Sequence, residues 1–356
     1  MHGNHHSQGM TRRSGRRMHV GGSGGDSSTG GGRTFSFLGP GPVEIDVGMM
    51  GSQRMADGRR LRTWYFGRGF NDDRSVPGPV IEGIEGQPLE VTLYSMMPHT
   101  IHFHGLDVDQ ANDGVPSTSG YIAGMGGGMG GGMGGGMGGG HHGGGANFGR
   151  VEGYENLGSP FTYRFVAPHA GTYMYHCHVD TVLHFEMGMY GTVIIRPPDG
   201  SESEVWSGGP AFEKEYVWHL HTFDSSWHNE MVSGSRTSRY RPDYFMINGL
   251  DQDLAADDPA SAILASPGDR VLIRLTNVGY QPSLVELGGL EFEVVASDGR
   301  PLRAPYEATQ QLVAPGERYD IYLTMTATAD HVATADYFDI RQQRILGQAS
   351  TIIRSI

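Results

Sequence analysis

Lysine is all but missing from this chain of 356 residues: Lys214 stands alone beside 25 arginines, and acidic residues outnumber basic ones 39 to 26, for a formal charge of −13. Neutralising phosphates takes a basic face, so nucleic acid is not an expected partner. Cysteine is nearly absent as well. With Cys177 as the only thiol, no intrachain disulfide can form. No stretch approaches the roughly 18 consecutive apolar residues of a membrane-spanning helix, so no membrane partner is expected. The arginine-bearing segment from Thr11 to Arg17 runs into glycine and serine where a signal peptide would carry its apolar core, and no export signal is legible. Sustained helical periodicity is also scarce, which leaves an all-β fold.

Glycine, methionine and histidine are in excess, at 57, 18 and 17 residues, and much of the glycine sits in two short segments. Residues 1–33 form a Gly/Ser/Arg/His tail with too little apolar surface to offset the entropy of ordering. Residues 124–145 repeat every four residues, carrying Met125, Met129, Met133 and Met137 and closing on His141 and His142. Three glycines in four residues oppose a helix there, so a loop is expected.

The remainder reads as short β-runs between turn signals: Pro88 to Tyr94, Phe161 to Phe165, Gly191 to Ile195, Arg270 to Leu275, Phe292 to Ala296 and Arg318 to Leu323. Such a pattern points to sandwiches or Greek-key barrels. The length suits two domains, and a weak internal repeat supports the division. "VPGPVIEGIEGQPLEVTLYS" and "PFTYRFVAPHAGTYMYH" in the first half parallel "ASPGDRVLIRLTN" and "QQLVAPGERYDIYLTM" in the second. The joint falls in the Pro/Gly/Ser stretch from Pro197 to Pro210, giving domains over 34–200 and 201–356.

The chemistry is concentrated in the first half. In "PHTIHFHG", His102 and His104 are two apart on a strand and share a face. In "YHCHVDTVLHFEMGM", His176 and His178 share one face while Cys177 between them points to the other. One strand can thus offer a thiolate to a metal on one side and two imidazoles to metal on the opposite side. Cys177 with His184, Met189 and His99 makes a thiolate, two imidazoles and a thioether, the soft donor set that selects copper and suits electron transfer. A structural zinc site would want more thiolates.

These motifs, with "PGPVI", "HFHGLDVDQANDGVP", "HFEMGMYG", "MINGL" and "APGERYD", resemble the laccase-like multicopper oxidase family from Arg33 to Ile356. The resemblance implies two cupredoxin-like Greek-key β-sandwich domains. It implies a type 1 copper at His99, Cys177, His184 and Met189, and it makes His102, His104, His176 and His178 ligands of a type 2/type 3 copper centre. It further implies one-electron oxidation of a phenol, an amine or a metal ion such as Cu(I), coupled to reduction of O2 to water, an extracytoplasmic location, and a homo-oligomer, with a trimer favoured. Asp107, Asp109 and Asp113, just after the HFHG strand, are candidates for proton delivery.

Three departures bear on these expectations. Five residues separate His178 from His184, where large laccases usually have three. All the recognisable ligands lie in the first domain, as in two-domain oxidases that resemble copper nitrite reductases. The family's trinuclear centre takes eight histidines, yet the motifs supply four, because "VELGGLEF" and "YFDIRQQ" stand where second-domain ligands would fall. A second copy of domain one could supply the rest, or His219 and His221 of "VWHLHTF" could reach from a neighbouring subunit; His228 and His331 have weaker claims. Copper nitrite reductase is the closest rival, although His102 stands where that enzyme carries an aspartate and His178 has no counterpart there. A copper-binding or copper-tolerance protein is another, since the thioethers of residues 124–145 would favour Cu(I).

Overall fold

The computed structural model describes residues 36–67, 76–95, 98–119, 160–230, 239–326 and 328–356. The Gly/Ser/Arg/His tail and the Met/Gly/His repeat at 124–145 lie outside them. The described strands form four sheets, and none of the four mixes strands from before and after residue 200. Before it, a five-stranded sheet runs in spatial order Phe37–Leu38, Val80–Ile84, Tyr190–Arg196, Gly171–His176, His102–His104. It faces a four-stranded sheet of Arg60–Gly67, Val43–Arg54, Pro88–Tyr94 and Phe161–Val166. After it, a seven-stranded sheet centred on Lys214–Phe223, Arg270–Asn277 and Arg318–Thr324 faces a five-stranded sheet that includes His331–Asp339 and Arg344–Ser355.

All six runs expected from the sequence are strands, five of them longer by one or two residues. Burial explains their patterns. Pro88–Tyr94 alternates buried and half-buried residues because one of its faces is open. Gly171–His176 and Tyr190–Arg196 are buried at every position, since their sheet is covered on both sides. One side meets a core that includes Ile45, Val91, Phe103, Tyr163 and Tyr175. The other packs on the second sandwich through Met174, Tyr190, Phe223 and Met246.

That seam also carries charge. Arg196 reaches Glu82 at 2.6 Å and Glu215 at 2.7 Å, Arg274 reaches Glu215 at 2.7 Å and Asp320 at 3.6 Å, and Thr172 donates to Asp320. Each charged group there answers another, which offsets the cost of removing it from water. The Pro197–Pro210 stretch lies against the second sandwich, burying Val205 next to Leu272 and Tyr322. Among the described residues, no helix is long and apolar enough to cross a membrane.

Candidate metal centres

The HFH strand pairs antiparallel with Gly171–His176, and the register sets His102 opposite His176 and His104 opposite Met174. That pairing gathers the imidazoles. Ligand atoms of His102, His104 and His176 lie within 4.8 Å of one another, and the His178 ring is centred 5.1 Å from His102 and 5.9 Å from His176. The strand stops at His176, two residues before the expected alternation completes at His178. The reason is a change of partners: Cys177 donates its N–H to the Met189 carbonyl and His178 donates to Thr100 Oγ1.

On the far side of that turn, Cys177 Sγ lies 3.5 Å from His99 Nδ1 and 2.9 Å from His184 Nδ1. All three residues are buried, and Met189 is buried in the same core. Met189 is pinned at both ends of its peptide, its N–H donating to the His184 carbonyl and its carbonyl accepting from Cys177. His184 sits on a six-residue helix, Thr181–Glu186, which takes up the extra length between His178 and His184. Gly188 follows at φ +106°, where a Cβ would meet Val76 Cγ2 at 2.5 Å and the Trp64 carbonyl at 3.0 Å. Trp64, half-buried, stands edge-on to both imidazoles, 5.1 Å from His184 and 6.4 Å from His99.

Burial suits these groups to a soft cation. It lowers the His99 pKa to about 3, helped by neighbouring His184, and lowers that of His184 to about 4, so both rings keep free lone pairs. It pushes the Cys177 thiol up to about 11 despite hydrogen bonds from the Thr100 amide and the contact with Val179. A thiolate is therefore favoured there only with a cation beside it. In the second cluster burial lowers His104 to about 4, with Arg318 of the second sandwich and then His102 adding to the effect; burial is also the leading cause of the lowering at His176 and His178. His102 Nδ1 lies 2.6 Å from the Asp113 carbonyl and 3.2 Å from its carboxylate, so the ring offers Nε2 outward. His176 Nδ1 likewise lies 3.0 Å from the Cys177 carbonyl. Two nitrogens, one sulfur and a neighbouring set of imidazoles fit copper ions in both places.

The three aspartates separate. Asp113 stands at the histidine cluster, whereas Asp107 is held outward by Arg300 at 2.6 Å and Asp109 caps its own turn through Ala111 and Asn112. His219 and His221 are not presented to a neighbouring subunit. Both are fully buried against the first sandwich of the same chain: His219 meets Thr192 Oγ1 at 2.7 Å and Asn248, and His221 bonds the Val278 carbonyl and lies 4.7 Å from the Tyr190 ring. Burial lowers their pKa values to about 4 and about 3. His228 is buried between Arg62 and Glu186, and His331 bonds the Gly288 carbonyl. Sequence reasoning missed Trp64, Glu186 and Arg318 and gave His228 only a weak claim as a ligand; the approach of all four to the clusters depends on contacts remote in the chain.

Comparison with known proteins identifies the family. One multicopper oxidase family model matches residues 217–355 and a second matches residues 155–199, together more than half of the chain. Laccase-15 of Oryza sativa subsp. japonica is 27% identical over 71% of this chain and 38% of its own length. The copper-containing nitrite reductase of Neisseria gonorrhoeae is 24% identical over 72% of this chain and 55% of its own. The chain spans about half or less of the length of the first curated relatives it matches. The crystal structure of blue copper oxidase from Nitrosomonas europaea superposes with a TM-score of 0.64 at 24% identity, covering 88% of this chain and 85% of that one, which places both sandwiches in the cupredoxin fold. With family models matching residues in both sandwiches, the chain belongs to the multicopper oxidase family.

Proposed function

We propose that this protein is a copper-dependent oxidase that takes single electrons from a reducing substrate and delivers them to dioxygen. One observation carries the reading. Cys177 joins two buried imidazoles at its sulfur, while the residues on either side of it, His176 and His178, belong to a second group with His102 and His104. Copper held by His99, Cys177, His184 and Met189 would supply one-electron exchange, and copper held by His102, His104, His176 and His178 would supply the reduction of O2 to water.

The protein's own groups serve that division. Cys177 is covalently next to His176, whose ring also meets the Cys177 carbonyl, so sulfur and cluster are linked by two short routes. Asp113 fixes the His102 ring and is the carboxylate placed to exchange protons at the cluster. The donor would be a phenol, an aromatic amine or a metal ion such as Cu(I). Four imidazoles per chain fall short of the family's eight, and the other described histidines are turned inward or lie elsewhere, which favours a homo-oligomer, a trimer above all, in which copies complete the centre.

Nitrite reduction is the second reading, supported by the three-imidazole group of His102, His104 and His176 within one chain, which suits a single ion. Copper stoichiometry with absorption and paramagnetic resonance spectra tests both. A blue ion with a coupled pair supports the oxidase; a blue ion with one further isolated ion supports the reductase; a blue ion alone leaves an electron carrier and overturns both.

A further inference from the structure

The helix Thr181–Glu186 carries His184 and leads into Met189, yet it is only six residues long, too short to hold its place by its own hydrogen bonds. On a helix, residues two apart point about 200° from one another. His184 faces Cys177, and Glu186 therefore faces away, into the second sandwich. There it is fully buried. Its Oε1 accepts the Asp224 N–H at 2.6 Å and lies 3.3 Å from His228 Nε2. The opposite nitrogen of that imidazole, Nδ1, donates to the Arg62 carbonyl, two residues before Trp64. Trp64 closes the loop by donating its N–H to the Met187 carbonyl at 2.8 Å. At the other end of the helix, Tyr280 of the second sandwich donates its hydroxyl to the Val182 carbonyl.

We infer that Glu186 is a positioning residue for the blue-copper ligands, tying the helix between His178 and Met189 to the second sandwich. This rests on the reading of His99, Cys177, His184 and Met189 as a copper site. It gives a role to a sandwich in which no copper ligand is recognisable: it supplies the anchorage that the longer ligand loop needs. Asp224 and His228 meet the helix on the face opposite the metal, Tyr280 meets its first turn, and the linkage through Arg62 holds the strand bearing Trp64 to the same post.

The test uses the full chain loaded with copper, comparing wild type with Glu186→Gln, Glu186→Leu and Tyr280→Phe. Glutamine keeps an oxygen for the Asp224 amide and should leave the blue absorption band and the midpoint potential close to wild type. Leucine keeps the bulk without the acceptor, and it should shift both and speed copper loss to a chelator by roughly 10-fold, as expected when a group supporting a ligand is removed. Tyr280→Phe, a change at a half-buried site that leaves no cavity, should speed copper loss by a smaller factor, and it keeps the inference testable if the leucine variant does not fold. A blue band, potential and chelation rate unchanged in Glu186→Leu, or in Tyr280→Phe if only that variant folds, overturns the inference. A wild-type protein that takes up no blue copper overturns the underlying reading instead.

Discussion

His102 and His176 sit directly opposite each other in an antiparallel strand pair, with their ring centres 4.9 Å apart and His176 immediately before the only cysteine. Both rings belong to the second cluster with His104 and His178, and His176 meets the sulfur-bearing residue at its backbone carbonyl. Replacing His102 with alanine should abolish oxygen consumption while the blue absorption band persists. Oxygen electrode and visible spectra on the same sample check this; loss of the blue band would show that the two clusters are not separate.

Cys177 holds the other cluster. Serine in its place matches the shape but is a much harder donor, so Cys177→Ser should fold, lose the blue band completely and lose turnover with every reducing substrate. Far-ultraviolet circular dichroism and copper analysis separate that outcome from unfolding.

Trp64 stands beside the buried pair of imidazoles. His99 and His184 are 1% and 6% exposed, and the half-buried Trp64 indole stands edge-on to both, which makes it the expected point of contact for a bulky organic donor. Trp64→Leu should slow bleaching of the blue band by an aromatic amine in stopped flow, by on the order of 10-fold, with a smaller effect for a small inorganic reductant. Equal rates in the two proteins would place the entry point elsewhere.

Gly114 fixes Asp113 against His102. At φ +74° a Cβ on this residue would stand 1.8 Å from the Ile101 carbonyl oxygen, which is backbone and cannot swing aside. Gly114→Ala should cost at least the 1–2 kcal/mol of a left-handed alanine, read as a lower Tm, and weaken copper binding at the histidine cluster more than at the sulfur site.

Acid should loosen the seam. Burial alone would raise the Glu215 pKa, but Arg196 and Arg274 outweigh it and hold the carboxylate at about 2, against 4.5 for a free glutamate. A group lowered on folding stabilises the protein above its unfolded pKa, and that contribution, about 3 kcal/mol, fades as pH falls from 4.5 toward 2. Glu215→Gln should remove this dependence and leave two arginines poorly compensated, lowering Tm at neutral pH and flattening its fall below pH 4.5 in thermal melts.

Much of this was legible in the sequence, for identifiable reasons. Strands such as Pro88–Tyr94 announce themselves because one face is open and the alternation is clean. The donor residues announce themselves because ligand spacing is local to two short motifs. The helix Thr181–Glu186 was not legible, since six residues are too few to display a 3.6-residue period. His219 and His221 form the same HxH pattern as His102 and His104; only the packing of Tyr190 and Thr192 against them marks them as core. Asp107 and Asp113 were equivalent candidates until Arg300, nearly two hundred residues away, claimed the first.

The buried chain of Glu82, Arg196, Glu215, Arg274 and Asp320 also limits what evolution can do with these two halves. A greasy seam tolerates sliding and exchange of partners, but one in which each charge must meet a particular opposite admits a single alignment. Neither half could be traded for a homologous sandwich without carrying its share of the ladder along. The sandwich that gathers the two donor clusters and the sandwich packed against it are in that sense inherited as one piece.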